Sequence, residues 1–218
     1  AFRTLTGVKT FDITKCHDYI VTNEFEDFIK ILTLSRWNEK FSWNIVHHKI
    51  GDKFVNVAIA RRFNPHSKNT YHFAFYSDNP FIPVDTFKIV TTRSAEEARI
   101  FTLALNSIIS LAQLLLLREQ TTGEYTDVRM SELCRMFVLN YDKLSKNEKD
   151  LLMNLFLKLH EVEFPPTIDQ LEQRFWARVE LDKTILKILG FSDDEIEEWL
   201  PKVYDALVDE LKAMREVK

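Results

Sequence analysis

The residue types that could do chemistry are present, but few stand at spacings that chemistry requires. His47 and His48 are adjacent, and adjacent residues on a strand point to opposite faces, so the pair does not converge on one metal ion. No H-E-x-x-H or H-x-E…C-x-x-C pattern occurs. Cys16 and Cys134 are too far apart in sequence for a C-x-x-C pair, and two cysteines are too few for a disulfide scaffold. Both are expected to be buried thiols. The nucleophile elbow Gly-x-Ser-x-Gly is absent. Only four glycines occur, Gly7, Gly51, Gly123 and Gly190, and no two are close. That excludes the clustered-glycine loops that let a backbone approach a nucleotide phosphate. Carboxylates are plentiful, yet Glu39-Lys40 and Glu148-Lys149 match a nuclease signature no better than chance. No residue is therefore assigned to catalysis, cofactor binding or metal ligation.

Binding chemistry is better represented. Residues 1–120 carry 15 Lys and Arg against 12 Asp and Glu, net +3, whereas residues 121–218 carry 14 against 21, net -7. From Arg36 to His72 seven basic residues face Glu39 and Asp52, net +5. This window attracts a polyanion and the acidic half repels one. It also mixes cations with amides and aromatics, the combination that grips phosphates and reads base edges. The candidates are Arg36, Trp37, Lys40, Trp43, His47, Lys49, Arg61, Arg62, Asn64, His66, Lys68 and Asn69. Bland roles compete with each: one of the two tryptophans is expected in the core, Arg61-Arg62 also reads as a solvated strand end, and Asn64–Asn69 also reads as a plain hairpin loop.

The elements that would position these residues divide the chain in two. Phe54–Ala60, Tyr71–Tyr76 and Phe87–Val90 are rich in β-branched or aromatic residues and read as strands, with turns at Asn64–Asn69 and Ser77–Pro80. From Ser94 onward the pattern is helical. Ser94 with Glu97, Ser145 with Glu148, Thr167 with Gln170 and Ser192 with Glu195 each match a capping box. One long apolar helix is expected over 94–118. Its run Leu103–Leu117 contains Asn106, Ser107, Ser110 and Gln113 and is shorter than the roughly 20 residues that span a bilayer, so it reads as a core helix. Leu151, Leu152, Leu155, Phe156 and Leu159 line one face of the next helix. Ile168–Leu189 and Asp193–Glu216 supply two more, with Gly190 at a C-cap. The expectation is an α+β chain. Residues 1–127 form a strand-rich target-recognition domain that includes the long helix, and 128–218 form an all-helical C-terminal region.

Within this layout Glu96-Glu97-Ala98 leads to Leu105-Asn106-Ser107, then to Leu114-Leu115-Leu116-Leu117-Arg118-Glu119-Gln120-Thr121-Thr122-Gly123-Glu124-Tyr125. This run resembles the C-terminal target-recognition region of DNA adenine-N6 methyltransferases of restriction–modification systems, of the type II or IIG-like kind. Phe75–Ile89 upstream and Leu181–Gly190 downstream fit the same layout, so the likeness covers roughly residues 70–218 and is most specific over Leu105–Tyr125. The resemblance implies sequence-specific recognition of double-stranded DNA while adenine is extruded from the helix. It implies that an N-terminal methyltransferase domain or subunit, absent from this chain, binds S-adenosylmethionine and performs the transfer. It also adds Arg118, Thr121, Thr122 and Tyr125 as DNA-binding candidates, although a structural helix-exit loop accounts for them as well.

Asp78-Asn79-Pro80-Phe81 shares residues with the Asn-Pro-Pro-Tyr/Phe motif that holds a flipped adenine, but its second proline is missing, and a Pro-containing turn suffices. The chain opens at Ala1, which fits a piece of a longer protein or loss of an initiator Met. A cytoplasmic protein without a membrane segment is expected. Two rival functions stand beside the resemblance: a non-enzymatic interaction domain with acidic docking helices, and a nuclease subunit.

Overall fold

The structure, a computed structural model, describes residues 8–15, 55–81, 87–118 and 126–216. Of the described residues 55% are helical and 14% are in strands, the strands mainly in the N-terminal half, so the fold is α+β as the sequence indicates. Four strands come first: β1 (Val55–Ala60), β2 (Arg62–Phe63), β3 (Ala74–Phe81) and β4 (Phe87–Val90). β1 is the middle strand of an antiparallel sheet in the order β3-β1-β4. Its Val57, Ala58, Ile59 and Ala60 are all buried, with no polar alternation, because a central strand covered on both faces has no wet side.

Two expectations on this sheet need correcting. The second strand begins at Ala74 rather than Tyr71, and the amides of Phe73 and Ala74 both donate to the Asn106 side chain, at 2.9 and 3.1 Å. Ser77–Pro80 is not a turn but part of β3. Asn56 Nδ2 donates to the carbonyls of Ser77 and Asp78, and the pairing register shifts between Val55 and Val57. The irregularity expected of Asn-Pro is thus absorbed inside a strand.

The long helix expected over 94–118 is two helices, α1 (Ala95–Asn106) and α2 (Ile108–Leu117), bent by 63° at Ser107. Ser107 is extended, and its hydroxyl and that of Ser110 both donate to the Ala104 carbonyl, at 2.7 and 2.8 Å. The first amide of α2, Ile108 N–H, is capped from 74 residues away by Asp182 Oδ1 at 2.6 Å. No local residue signals that cap. Leu105, Ile108, Leu111, Leu114 and Leu115 are buried on either side of the bend, as the apolar run requires. Among the described residues no single helix is long and apolar enough to cross a membrane.

After β5 (Thr126–Asp127), which pairs with β2, come the one-turn α3 (Met130–Leu133), α4 (Lys146–Leu159), α5 (Thr167–Glu172), α6 (Trp176–Ile188) and α7 (Asp193–Glu216). The Ser145 capping box is complete, with Ser145 Oγ accepting from Glu148 N–H and Glu148 accepting from Ser145 N–H at 2.7 Å. Ser192 and Glu195 repeat it for α7. Leu152, Leu155, Phe156 and Leu159 are buried as the spacing predicts, but Leu151 is exposed. Gly190, at φ 97°, ends α6: its N–H donates to Lys187 O and that of Phe191 to Leu186 O, which closes a Schellman motif.

Thr167 and Gln170 do not cap. Thr167 is inside α5, its hydroxyl donates to Thr70 O, and Gln170 Nε2 donates to Tyr71 O, so both side chains are spent on the loop before β3. Ile168–Leu189 is broken at Arg174, whose φ of 50° is held by its own guanidinium, which donates to Leu171 O and pairs with Asp205. Cys134 is exposed, not buried, in the turn after α3; Cys16 lies outside the described residues.

α1 lies on β1 and β3, α4 packs on α1, and α6 and α7 complete the layer behind. One buried cluster runs through the chain, from Phe11, Val57 and Tyr76 to Phe156, Leu181, Tyr204 and Leu211.

Candidate nucleic-acid interface

Of the sequence candidates, Arg36, Trp37, Lys40, Trp43, His47, Lys49, Thr121, Thr122 and Tyr125 lie outside the described residues. The remaining seven fall into three places. Arg61 and Arg62 sit at the β2–β5 ladder, where Arg62 is in register with Asp127 and Val128 N–H donates to Arg61 O. Arg61 grips the Asp127 carboxylate through Nε at 2.9 Å and Nη2 at 3.2 Å. The ladder also brings in a residue that sequence reasoning missed, Arg129, which is exposed and precedes α3. The Arg61 hydrogen bonds first, then the fields of Arg61, Arg62 and Arg129, hold the Asp127 carboxyl below the usual carboxylate range. The charges of Arg61, Arg62 and Arg129 therefore all act on this one carboxylate, Arg61 by direct contact. The two-residue strands that assemble them carry no recognisable propensity of their own, so only the pairing reveals the cluster.

Asn64, His66, Lys68 and Asn69 form the loop after β2. Asn64 Oδ1 accepts from His66 N–H at 3.2 Å, Thr70 Oγ1 donates to Asn64 O at 2.6 Å, and Asn69 N–H donates to Ser67 Oγ at 3.1 Å. Thr167 anchors the loop through Thr70 O. The result is a tight, docked turn with His66 buried and Lys68 and Asn69 exposed at the tip. Arg118 stands apart. Its Nη1 donates to Leu115 O at 2.9 Å, satisfying an end carbonyl of α2, and its Nη2 pairs with Glu210 on α7. That is a helix-exit role.

A second polar concentration is wholly interior. Asp182 Oδ2 accepts from Arg178 Nε and Tyr204 Oη, both at 2.7 Å, and Arg178 Nη1 donates to Asn106 O at 2.6 Å. Asn106 Nδ2 donates to Ala74 O and Thr102 O, at 2.8 and 3.0 Å. Burial raises the Asp182 carboxyl and, with the nearby carboxylate, the Tyr204 hydroxyl above their ordinary values. The Asn-Ser of Leu105-Asn106-Ser107 and the Asp of Leu181-Asp182-Lys183 thus meet as one joint between β3, α1, α2, α6 and α7.

A third group lies on the far end of β3. Asp78 accepts from Arg99 Nη2 at 2.8 Å and from the Tyr76 hydroxyl, and His160 Nδ1 is 3.3 Å from Asp12 Oδ2. Burial pushes the Tyr76 hydroxyl up to about 12. Asp78-Asn79-Pro80-Phe81 is committed to this strand rather than to a base-holding loop. Among the described residues no three carboxylate, His or Cys side chains could share a metal ion. A shallow groove on α6 is lined by Arg174, Trp176, Val179, Glu180, Lys183, Thr184 and Lys187, and its one carboxylate, Glu180, is paired with Lys158 at 2.6 Å. No family model, curated protein or solved structure matches the chain.

Proposed function

We propose that this chain reads sequence in double-stranded DNA as the target-recognition part of a cytoplasmic DNA adenine-N6 methyltransferase or restriction–modification enzyme. The observation that carries the reading is that Arg61, Arg62 and Arg129 all act on Asp127 at the β2–β5 ladder, with Lys68 and Asn69 exposed in the loop that follows β2. Planar guanidinium groups bind phosphate through paired hydrogen bonds and read guanine edges in the major groove. Arg61 is itself held by Asp127 through two hydrogen bonds. The buried joint supports the reading in a second way, because separate stretches of the resemblance, around Asn106 and around Asp182, converge there. S-adenosylmethionine and the methyl transfer belong to a methyltransferase domain or subunit acting with this chain.

The rival reading, acidic helices that dock a protein, is less well supported. On α7, Asp193, Glu197, Glu198, Asp205 and Glu210 are each already paired to a cation of this chain. The test is selection from a pool of randomised duplexes with the chain immobilised, at moderate salt. Enrichment of one short sequence is the expected result. Recovery of an unenriched pool, or of no DNA, contradicts sequence reading.

A further inference from the structure

Residues 9–15 lie along the edge of β3 that β1 leaves open, in the manner of an added strand. Asp12 bridges Tyr76 in parallel, Ile13 N–H donates to Tyr76 O at 2.8 Å, and Tyr76 N–H donates to Phe11 O at 2.9 Å. Alternate side chains then divide by chemistry. Phe11 and Ile13 are buried, at 0% and 3% exposure. Lys9 and Lys15, two positions beyond them on either side, are exposed and pair with Glu163, at 3.0 Å, and with Glu161. The Phe11 ring meets His72, Phe156 and Phe164 at centroid distances of 5.5, 5.6 and 6.2 Å. Lys9 O accepts from Phe164 N–H at 3.0 Å and from His72 Nε2 at 2.9 Å.

Main-chain bonds to a sheet edge, pockets for alternate side chains and charges that fix the register are the anatomy of peptide recognition by strand addition. The elements that build the receiving face are held together without residues 9–15. β3 pairs through its other edge with β1, and α4, which leads to Glu161 and Glu163, packs on α1. In sequence, residues 16–54 separate the segment from β1, so no tight turn ties the two together. Exposed ion pairs add little free energy, so attachment rests mainly on Phe11 and Ile13. The face is a receptor with a ligand already seated in it.

We propose that the edge of β3 and residues 161–164 form a docking site for an extended peptide, with residues 9–15 as its occupant in cis. The partner segment carries an aromatic and an aliphatic residue two apart, with a lysine two positions beyond each. It enters by displacing residues 9–15. Because these are tethered, they compete at a high effective concentration, and only a well-matched partner displaces them. The site is separate from the arginine cluster and does not rest on DNA reading.

The probe is a dye-labelled synthetic peptide of residues 8–15, whose binding to the full chain is followed by fluorescence anisotropy. In wild type the cis segment opposes it. Phe11→Ala in the chain empties the aromatic pocket, and Lys9→Glu with Lys15→Glu turns both exposed ion pairs into repulsions without touching the core. Each variant chain should bind the wild-type peptide at least about tenfold more tightly than the wild-type chain does. A peptide with Phe11→Ala should not bind. The chain with Glu161→Lys and Glu163→Lys should instead prefer the peptide with Lys9→Glu and Lys15→Glu. In the wild-type chain, hydrogen exchange should be faster at Ile13 N–H than at the amides of β1, as the segment opens without the fold. Equal affinity of the peptide for wild-type and charge-reversed chains, or no binding to the charge-reversed chain, overturns the site. So does protection of Ile13 equal to that of β1, which would make residues 9–15 a fixed part of the core.

Discussion

Arg178 and Arg61 each hold an aspartate, and the surroundings give the two pairs opposite uses. Arg178 and Asp182 have side chains only 3% and 0% exposed, and the pair is tied to Tyr204, Ile108 N–H and Asn106 O. Arg61 and Asp127 are 29% and 24% exposed, and the charges of Arg62 and Arg129 also act on the same carboxylate. Desolvation makes the first pair a joint that nothing else can satisfy if one partner is lost. Water weakens the second as a source of stability, and on the proposed function its arginines are the ones that meet DNA. Polar side chains that resemble a known pattern, Asn106, Ser107 and Asp182, turn out to hold the fold together. The charges proposed for recognition sit on a ladder too short to stand out in sequence.

The comparison can be broken first at the buried joint, where the largest effect is expected. Asp182→Ala leaves the Arg178 guanidinium buried with its charge uncompensated and removes the cap of α2. Destabilisation of about 3–5 kcal/mol is expected in denaturant unfolding. A loss below about 1 kcal/mol would show that helices α1 and α2 keep their bend without it. His72 extends the test to a second interior polar group. Burial, only partly offset by its hydrogen bond to Lys9 O, lowers the imidazole from 6.5 to about 3, so it is neutral in the folded chain. Its folded value lies below its unfolded one, so this contribution is present above pH 6.5 and is lost as pH falls towards 3. In that window the group adds a slope of about 1.4 kcal/mol per pH unit. His72→Gln should flatten the acid limb of stability against pH by that amount; an unchanged slope would mean that the ring is charged or exposed in the fold. At the surface the effect should be smallest: Arg61→Ala is expected to change stability by no more than about 1 kcal/mol. A larger loss would make the β2–β5 pair a joint like the buried one and erase the contrast.

What could be read from the sequence follows the reach of each interaction. Ser145 with Glu148, Ser192 with Glu195, and Gly190 are legible because donor and acceptor lie within one turn of each other. The bend at Ser107 is not, because the aspartate that caps Ile108 is 74 residues on. Thr167 and Gln170 imitate a capping box, yet the carbonyls of Thr70 and Tyr71, nearly a hundred residues earlier, claim both side chains. At the candidate interface the net charge of the window pointed to Arg61 and Arg62, but Arg129 lies far outside it and joins them only through strand pairing. Arg118, drawn in by the resemblance, spends its guanidinium on α2 and α7.

The most direct test of DNA recognition through the arginine cluster is the salt dependence of duplex binding by the chain, wild type against the double variant Arg62→Ala with Arg129→Ala. Both side chains are exposed, and neither supplies the Arg61 hydrogen bonds that hold Asp127, so the fold should persist. Each phosphate contact contributes about 0.9 to the slope of log affinity against log salt. The slope should therefore fall by about 2 in the variant, with weaker binding at low salt. An identical slope and affinity in the two proteins would contradict the account and remove the β2–β5 ladder from the interface.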